Sequence, residues 1–244
     1  MLSIIIPVYN NSNVLEQQLP LLLDFLNIRS FSFEIILVDD GSTDYQKVKD
    51  FAQKINCHLV THKANMGKGA AIRSGMREVK GGYCLFTDAD IPFLFEDLIR
   101  MYEHLNSGQY DMVVGDRSLS DSKYFEHITI KRRIASKFFS SLVEFTGLRD
   151  FPDTQCGIKA FTKSAATKLF NESIINGFAF DVEILSLAQY NKLHIFRQPV
   201  TLRQNSSSSV NLFYHSLEMV RDIIRIRTRI KQLKKKLQPV SYSN

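Results

Sequence analysis

The sequence predicts an α/β fold: a Rossmann-like, mostly parallel sheet with helices on both faces. Short apolar runs rich in β-branched residues alternate with amphipathic stretches of helical length through residue 117. The runs are apolar along nearly their whole length, as expected of strands buried on both faces of a sheet. Acidic or glycine-rich loops directly follow several runs, which is typical of ligand-binding loops at the carboxyl ends of such strands.

The predicted elements of the first half follow in a regular order. Strands are predicted at 2–7, 34–38, 57–61, 83–87 and 110–114. Four helices are predicted between them: one at 13–26, one that follows residue 44 and ends near 55, one that begins with the segment 65–69, and one at 94–105. Asn13 and Glu16 form a capping-box pattern at the start of the first helix. Because the carboxyl ends of parallel strands meet at one edge, we expect the loops after these strands to form one ligand site.

The second half ends in a long helix predicted at 212–237. It follows predicted helices at 163–170 and from 178, and a strand at 193–200. An apolar stripe at alternating four- and three-residue steps is formed by Met219, Ile223, Ile226, Ile230, Leu233 and Leu237. The polar side is basic: Arg221, Arg225, Arg227, Arg229, Lys231, Lys234, Lys235 and Lys236. We predict a catalytic domain of residues 1–210, with halves 1–117 and 118–210, and a basic amphipathic helix and tail of residues 211–244.

Composition limits the class of partner and the compartment. The chain has 244 residues, a net charge of +6 and a pI near 9.2, which indicates an anionic partner such as nucleic acid, a membrane surface or a phosphorylated substrate. Cys57, Cys84 and Cys156 are widely spaced, fit neither a disulfide framework nor a zinc site, and favour a reducing compartment. We find no signal-peptide pattern and no apolar run near the roughly 18 residues of a membrane span.

Paired carboxylates follow two of the predicted strands. In an extended segment Asp88 and Asp90 point the same way, and Mg²⁺ is commonly held by one or two carboxylates together with substrate phosphates. A cation there would neutralise a leaving diphosphate. Asp39 and Asp40 could accept hydrogen bonds from a base or ribose, or could simply cap a turn.

The Asn-Met-Gly-Lys-Gly segment at 65–69 combines backbone N–H groups, a helix start and Lys68, which suits a phosphate. Its spacing matches neither a Walker A loop nor the dinucleotide-binding glycine pattern. The alternative is a helix start with flexible glycines.

Taken together in this order, these segments resemble glycosyltransferase family 2, whose members have the GT-A fold. The resemblance rests on seven segments: 3–10, 38–44, 65–69, 87–90, 114–117, 153–159 and 178–183. The last three, with 219–229, look like the branch of dolichyl-phosphate glucosyltransferases, close relatives of dolichyl-phosphate mannose synthases. The resemblance implies that Pro7, Tyr9 and Asp40 hold the nucleotide base of a nucleotide-sugar, with Asp39 beside them.

The resemblance also implies a metal site. Asp88 would face the ribose or diphosphate and, with Asp90, hold Mg²⁺ or Mn²⁺. The sequence departs from the pattern at three positions. Asn11 stands where many members have Glu. Asp116 stands where the common Gly-Ser-Arg motif has its Ser, so the motif here is Gly-Asp-Arg at 115–117. Pro92 stands where the mannose synthases have a Gln that binds the metal.

The acceptor half, residues 118–210, is predicted to bind a polyprenyl phosphate. A lipid phosphate is ionised near neutral pH, so it needs no general base, only positive groups that hold it in line with the anomeric carbon. The candidate ligands of that phosphate are Arg117, Arg132, Arg133 and Lys159. Arg117, Asp153 and Asp181 are the catalytic candidates, with Asp181 the base if the acceptor is a hydroxyl. Direct attack would invert the anomeric centre from α to β.

Several alternatives stay open. A family 2 transferase acting on a sugar hydroxyl would share the donor half, and GDP-mannose is the second choice of donor after UDP-glucose. A nucleotidyltransferase would show a glycine-rich loop after the first strand, which residues 7–10 lack. Nucleic acid is disfavoured, because the basic residues lie beside an apolar stripe and not among exposed aromatic side chains.

The helix at 212–237 is predicted to lie on an anionic membrane surface, with Met219 and Ile223 docked on the catalytic domain and its stripe from Ile230 onward in lipid. A helix packed on the catalytic domain, or a dimer contact, is the alternative. We therefore expect a cytoplasmic enzyme attached peripherally to the cytoplasmic face of a membrane. A homo-oligomer or a membrane partner protein is left open.

Overall fold

The structure, a computed structural model, describes residues 1–123, 143, 146–203 and 216–237. The strands within this part of the chain are β1 (Leu2–Val8), β2 (Phe33–Asp39), β3 (His58–Thr61), β4 (Tyr83–Phe86), β5 (Met112–Asp116), β6 (Lys159–Thr162) and β7 (Ile195–Pro199). The helices are α1 (Ser12–Asn27), α2 (Tyr45–Lys54), α3 (Lys68–Arg77), α4 (Phe95–Asn106), α5 (Lys163–Glu172), α6 (Phe180–Tyr190) and α7 (Ser216–Leu237).

The strands form one sheet in the order β3-β2-β1-β4-β6-β5-β7. β1 pairs in parallel with β2 and β4, β2 with β3, and β5 with β7, whereas β6 runs antiparallel to β4 and β5. The predicted mostly parallel α/β sheet is confirmed. Because β1, β2 and β4 are parallel neighbours, the loops that follow them lie at the same edge of the sheet.

Sequence analysis did not predict β6. This strand has four residues and begins with Lys159, so it lacks the apolar run by which the other strands were found. Lys159 is 0% exposed and forms an ion pair with Asp181 of α6. A lysine can occupy a central strand here because a distant part of the chain supplies its counter-ion.

The core lies on both faces of the sheet. Ile4 and Ile6 pack with residues of α1, α2 and α4, whereas Ile5, between them, packs with residues of α3, α5, α6 and α7. This alternation follows from the two-residue period of a strand. Each of these three isoleucines is 0% exposed, and burying such a side chain contributes about 1.5–3 kcal/mol.

The apolar stripe of α7 packs on α6 as far as Leu233, which corrects the lipid contact predicted from Ile230 onward, whereas Met219 and Ile223 are buried as predicted. Ile223, Ile226 and Ile230 are 1%, 2% and 8% exposed, and the partly buried Leu233 packs against the same cluster. The physical reason lies in α6, whose residues Phe180–Ala188 are all buried. A helix that is buried on all sides needs cover on the side away from the sheet, and α7 provides it.

The outer side of α7 remains basic. Lys231, Lys234, Lys235 and Lys236 are exposed, and we call them the C-terminal lysine cluster. In the described ranges, no helix combines the length and the hydropathy needed to cross a membrane. The predicted domain boundary at residue 210 falls in the undescribed segment 204–215 and stays a prediction.

Candidate active site

The loops after β1 and β2 are tied to each other by Asn10. Its N–H donates to Ser42 Oγ at 2.9 Å, and its Oδ1 accepts from the Thr43 N–H at 2.8 Å. Asn10 has φ 50°, a conformation that asparagine adopts more readily than most residues. Pro7 is the second-last residue of β1, and Tyr9, which directly follows the strand, is 49% exposed. Both residues therefore lie at the edge of the sheet where the base contact was predicted.

Asp39, the last residue of β2, has a buried carboxylate of which only one oxygen is bonded. Asp39 is 1% exposed, and its Oδ2 accepts from the Ser42 N–H at 3.2 Å. Its Oδ1 has no hydrogen-bond partner in the described part of the chain. A buried polar atom without a partner costs about 1–3 kcal/mol. This oxygen is therefore suited to accept a hydrogen bond from an N–H or O–H group of a ligand.

Asp40 has a different role from the one predicted. Its Oδ1 accepts from the Met66 N–H at 2.9 Å and contacts His62 Nδ1 at 2.6 Å, and its Oδ2 accepts from the Gly67 N–H at 2.8 Å. His62, which sequence analysis missed, also contacts Ser74 Oγ of α3 at 2.9 Å through Nε2. Both oxygens of Asp40 are thus engaged in holding the segment before α3. We correct its predicted contact with the base: Asp39 is the carboxylate with a free oxygen.

Four backbone N–H groups at the start of α3 are also engaged within the protein, so the predicted contact of this segment with phosphate stays a prediction that depends mainly on Lys68. Those of Met66 and Gly67 bond Asp40, while those of Gly69 and Ala70 donate to the Asn176 carbonyl at 2.7 and 3.2 Å. The side chain of Lys68 remains as the phosphate-binding candidate of this segment.

Asp88, Asp90 and Lys68 form the charged centre of this edge. Lys68 Nζ makes a salt bridge with Asp88 Oδ1. Burial would lower the pKa of Lys68, but the charges of Asp88, Asp181 and Asp90 outweigh it and raise that pKa, so the ammonium stays protonated. Burial, and next the charge of Asp88, raise the pKa of Asp90 to about 6.

The turn after β4 fixes the position of these carboxylates. The Ile91 N–H donates to the Asp88 carbonyl at 2.9 Å, and Ile91 has φ 39°, which is strained for a β-branched residue. No group of three or more His, Cys, Asp or Glu side chains in the described residues is arranged to hold a metal ion. Asp88 and Asp90 are still a donor set that fits Mg²⁺ or Mn²⁺, provided that a bound ligand supplies further oxygens.

Gly157 leaves room for the Asp88 carboxylate. A Cβ at position 157 would lie 2.1 Å from Asp88 Oδ2 and 3.1 Å from its Cγ. The carboxylate therefore packs directly against the backbone of the segment that precedes β6, where a side chain cannot be accommodated without moving Asp88.

Arg117 and Asp153 form a bidentate ion pair. Arg117 Nε and Nη2 donate to Asp153 Oδ2 and Oδ1 at 2.8 and 2.7 Å, and the Arg117 N–H also donates to Oδ2 at 2.8 Å. Burial would raise the pKa of Asp153, but the hydrogen bonds and charge of Arg117 outweigh it and lower that pKa. Asp153 thus orients Arg117 and is a poor proton acceptor, which corrects its predicted catalytic role.

Lys159 and Asp181 pair with each other behind the Lys68–Asp88 salt bridge. Lys159 Nζ bonds Asp181 Oδ1 and donates to the Cys156 carbonyl at 2.9 Å. Lys159 is 0% and Asp181 4% exposed, so neither side chain reaches solvent from this position. The predicted contact of Lys159 with an acceptor phosphate is therefore corrected to a structural role, and so is the role of Asp181 as a base. Arg132 and Arg133 lie outside the described residues.

Arg203, which sequence analysis missed, contacts the turn that follows Asp90 through its backbone. Its N–H donates to the Pro92 carbonyl at 2.7 Å, two residues beyond Asp90, and its guanidinium lies 3.9 Å above the Phe95 ring. Its Nη1 has no hydrogen-bond partner among the residues that the structure describes. The sequence signal for Arg203 is only its place after the strand predicted at 193–200.

We predict that Gly157→Ala lowers the sugar-transfer rate expected of this site by about tenfold or more, because the added Cβ displaces Asp88 from Lys68. Stability should fall by no more than about 1–3 kcal/mol. Initial rates and thermal unfolding measure the two effects. Gly82→Ala is the matched control, since no atom lies within 4 Å of its Cβ position. Equal rates for the two variants would show that Asp88 does not need its present position.

The sequence is similar to a known enzyme family. The family model described as "Glycosyl transferase family 2" matches residues 3–170. The chain is 36% identical to the dolichyl-phosphate beta-glucosyltransferase of Dictyostelium discoideum over 242 residues, covering 93% of this chain and 74% of that protein. It is 32% identical to the human dolichyl-phosphate beta-glucosyltransferase over 247 residues, covering 93% and 75%.

Solved structures share the fold at low sequence identity. Mannosyl-3-phosphoglycerate synthase from Rubrobacter xylanophilus matches with a TM-score of 0.74 and 15% identity, covering 100% of this chain and 78% of that one. Glucosyl-3-phosphoglycerate synthase from Mycobacterium tuberculosis, in complex with Mn²⁺, UDP and glucosyl-3-phosphoglycerate, matches with a TM-score of 0.64 and 16% identity, covering 94% and 79%. The family model spans most of the chain, and the sheet matches these enzymes, so the chain belongs to glycosyl transferase family 2 and has the GT-A fold.

Proposed function

We propose that this chain is an inverting, metal-dependent glycosyltransferase that moves a hexose from a nucleotide-sugar to a polyprenyl phosphate, specifically dolichyl phosphate. UDP-glucose is the preferred donor and GDP-mannose the second choice. The observation that carries the proposal is the edge of the sheet that holds the free oxygen of Asp39 and the Asp88–Asp90 pair with Lys68. The names of the relatives support the acceptor and the sugar, and the UDP and Mn²⁺ bound to the mycobacterial enzyme support the donor and the cation.

In this proposal the nucleotide base lies against the loops after β1 and β2. Asp39 Oδ1 accepts an N–H of the base, which satisfies the buried oxygen. Pro7 and the exposed ring of Tyr9 flank the base at the end of β1. The diphosphate then lies toward Lys68, whose protonated ammonium can leave Asp88 for a phosphate oxygen.

Asp88 and Asp90 would hold Mg²⁺ or Mn²⁺ together with oxygens of the donor diphosphate. When bound, the cation supplies positive charge that neutralises the leaving diphosphate. The protonation state of Asp90 determines the pH range in which the cation binds. Because the pKa of Asp90 is about 6, its carboxyl is protonated below that pH and ionised above it. A cation must compete with that proton, so its affinity falls as the pH is lowered through 6.

The acceptor side needs positive charge and no base. An oxygen of the acceptor phosphate bonds to the anomeric carbon, the bond from that carbon to the β-phosphate oxygen of the donor breaks, and the nucleoside diphosphate leaves. Attack from the opposite face converts an α-linked donor into a β-linked product. Arg117, oriented by Asp153, is the candidate that binds the acceptor phosphate, and the undescribed Arg132 and Arg133 remain proposed ligands.

The alternative acceptor is a sugar hydroxyl, which requires a general base. The two carboxylates predicted for that task are both engaged, Asp153 with Arg117 and Asp181 with Lys159. Among the candidates named from the sequence, this favours a phosphate that attacks without losing a proton.

We further propose that electrostatic attraction attaches the enzyme to the cytoplasmic face of an anionic membrane. The apolar stripe of α7 is covered by α6, which leaves the exposed C-terminal lysine cluster as its membrane contact. Each basic residue near an anionic leaflet contributes about 1 kcal/mol. Such attraction is screened by salt, because the Debye length falls from about 10 Å at 0.1 M to about 3 Å at 1 M ionic strength.

Analysis of the lipid product tests the reaction. With a panel of nucleotide-sugars and polyprenyl phosphates, we expect mass spectrometry to detect a hexosyl polyprenyl phosphate, formed fastest from UDP-glucose, and NMR to show a β-linkage. Asp90→Ala should abolish most of the activity, whereas Asp24→Ala, an exposed carboxylate on α1, should not change it. An α-linked product, or glycosylation of free sugar hydroxyls alone, would contradict the proposal.

Flotation with vesicles tests the membrane contact. Replacing the four residues of the C-terminal lysine cluster by Gln should weaken binding to vesicles containing phosphatidylserine by roughly a hundredfold or more, given about 1 kcal/mol for each charge. The matched control replaces four exposed lysines elsewhere by Gln: Lys47, Lys54, Lys168 and Lys192. Equal binding by the two variants, or binding of the wild type that is unchanged at about 1 M salt, would remove this cluster from the mechanism.

A further inference from the structure

We propose that Arg229 of α7 is a positioning residue for the donor site and acts through a chain of hydrogen bonds that ends at the first turn of α3, which carries Lys68. The C-terminal helix would then support the site from outside the sheet. The inference rests on the proposed function only in naming the donor diphosphate as the ligand of Lys68. The hydrogen bonds that link Arg229 to the first turn of α3 do not depend on that assignment.

The chain of contacts begins with a buried carboxylate. Arg229 Nη1 donates to Glu183 Oε1 of α6 at 2.9 Å. Glu183 is 2% exposed, while the Arg229 side chain is 25% exposed, so Arg229 brings a charge from the surface to a group that water does not reach. Burial raises the pKa of Glu183. The hydrogen bonds from the Ile175 and Ile174 N–H groups, and next the charge of Arg229, act in the opposite direction and lower that pKa in part. A buried ionised carboxylate depends strongly on such a partner.

Glu183 in turn fixes the segment between α5 and α6. Its Oε1 and Oε2 accept from the Ile174 N–H at 3.1 and 3.0 Å, and its Oε2 accepts from the Ile175 N–H at 2.9 Å. Arg73 of α3 bonds the same segment, donating to the Ile175 carbonyl at 3.3 Å and to Asn176 Oδ1. The backbone at 174–176 is thus held by Glu183 on one side and by α3 on the other.

That segment sets the first turn of α3. The Asn176 carbonyl accepts from the N–H groups of Gly69 and Ala70 at 2.7 and 3.2 Å. Residues 174–176 and the start of α3 are in close backbone contact. A Cβ on Gly69 would lie 2.6 Å from the Ile175 carbonyl oxygen, and a Cβ on Gly67 would lie 2.5 Å from the Asn176 carbonyl oxygen. A shift of residues 174–176 must therefore move the start of α3, where Lys68 reaches Asp88.

The proposal separates positioning from general stabilisation. If α7 only covers apolar surface, loss of one partly exposed arginine should loosen α6 and α7, or the whole molecule, evenly. If Arg229 acts through Glu183, the effect should appear selectively at 173–177 and at the first turn of α3. Arg225 is the matched control, since it lies one turn earlier on α7 and is exposed.

Amide hydrogen exchange on the full-length protein tests the relay without reference to function. In Arg229→Ala, amides at 66–72 and 173–177 should exchange roughly three- to thirtyfold faster, whereas those of β1 and β2 should not change. Arg225→Ala should match the wild type, and Arg229→Lys, which keeps a charge beside Glu183, should recover part of the protection. Unchanged exchange at 66–72, or an equal increase across the molecule, would overturn the proposal.

Binding of UDP with Mn²⁺, measured by calorimetry, tests the consequence for the site. The affinity should fall by roughly three- to thirtyfold in Arg229→Ala, recover partly in Arg229→Lys, and stay unchanged in Arg225→Ala. Equal affinity in Arg229→Ala and wild type would overturn the positioning role. If the wild type binds no UDP, the proposed function fails, and hydrogen exchange alone decides whether the relay exists.

Discussion

The salt bridge between Lys68 and Asp88 is the contact on which the arrangement of the site depends. Asp88, Asp90 and Asp181 bring three carboxylates to one partly buried region, and Lys68 is the cation whose pKa all three raise. Two opposite charges about 4 Å apart attract by about 4 kcal/mol at the effective dielectric constant of a protein surface. Lys159 neutralises Asp181 from the interior, so Lys68 can pair with Asp88. The site is therefore ready to exchange this internal pairing for a bound diphosphate and its cation.

The parts that can be predicted from the sequence are those that depend on local pattern. Apolar runs predict the parallel strands, and the residues directly after them, such as Asp39 and Asp88, fall at one edge for topological reasons alone. The parts that cannot be predicted depend on distances between remote residues. Asp153 and Lys159 look like free charges in the sequence, but folding pairs them with Arg117 and Asp181. The division of roles between Asp39 and Asp40 likewise depends on hydrogen bonds that no motif records.

The C-terminal helix shows how one amphipathic pattern fits two different partners. A stripe of isoleucines beside basic residues is typical of an interfacial helix, but it equally suits a helix that covers a buried neighbour. The structure decides in favour of α6, because Ile230, where the contact with lipid was predicted to begin, is 8% exposed and packs in the core with Leu233 beside it. The basic residues then fall into two groups: Arg229 turns inward to Glu183, whereas the C-terminal lysine cluster faces outward. The two proposals, support of the site and attachment to an anionic surface, thus concern different residues of one helix.

The central claim is that this edge of the sheet binds a nucleoside diphosphate through a divalent cation held by Asp88 and Asp90. Calorimetric titration of UDP in the presence of Mn²⁺ or of excess chelator tests it most directly. At pH 7.5 we expect chelation, or Asp90→Asn in the presence of Mn²⁺, to weaken UDP binding by about tenfold or more. At pH 5 the contribution of Mn²⁺ should shrink, because the pKa of Asp90 is about 6 and the protonated carboxyl no longer attracts the cation. Equal UDP affinity with and without Mn²⁺ at pH 7.5 would contradict the account.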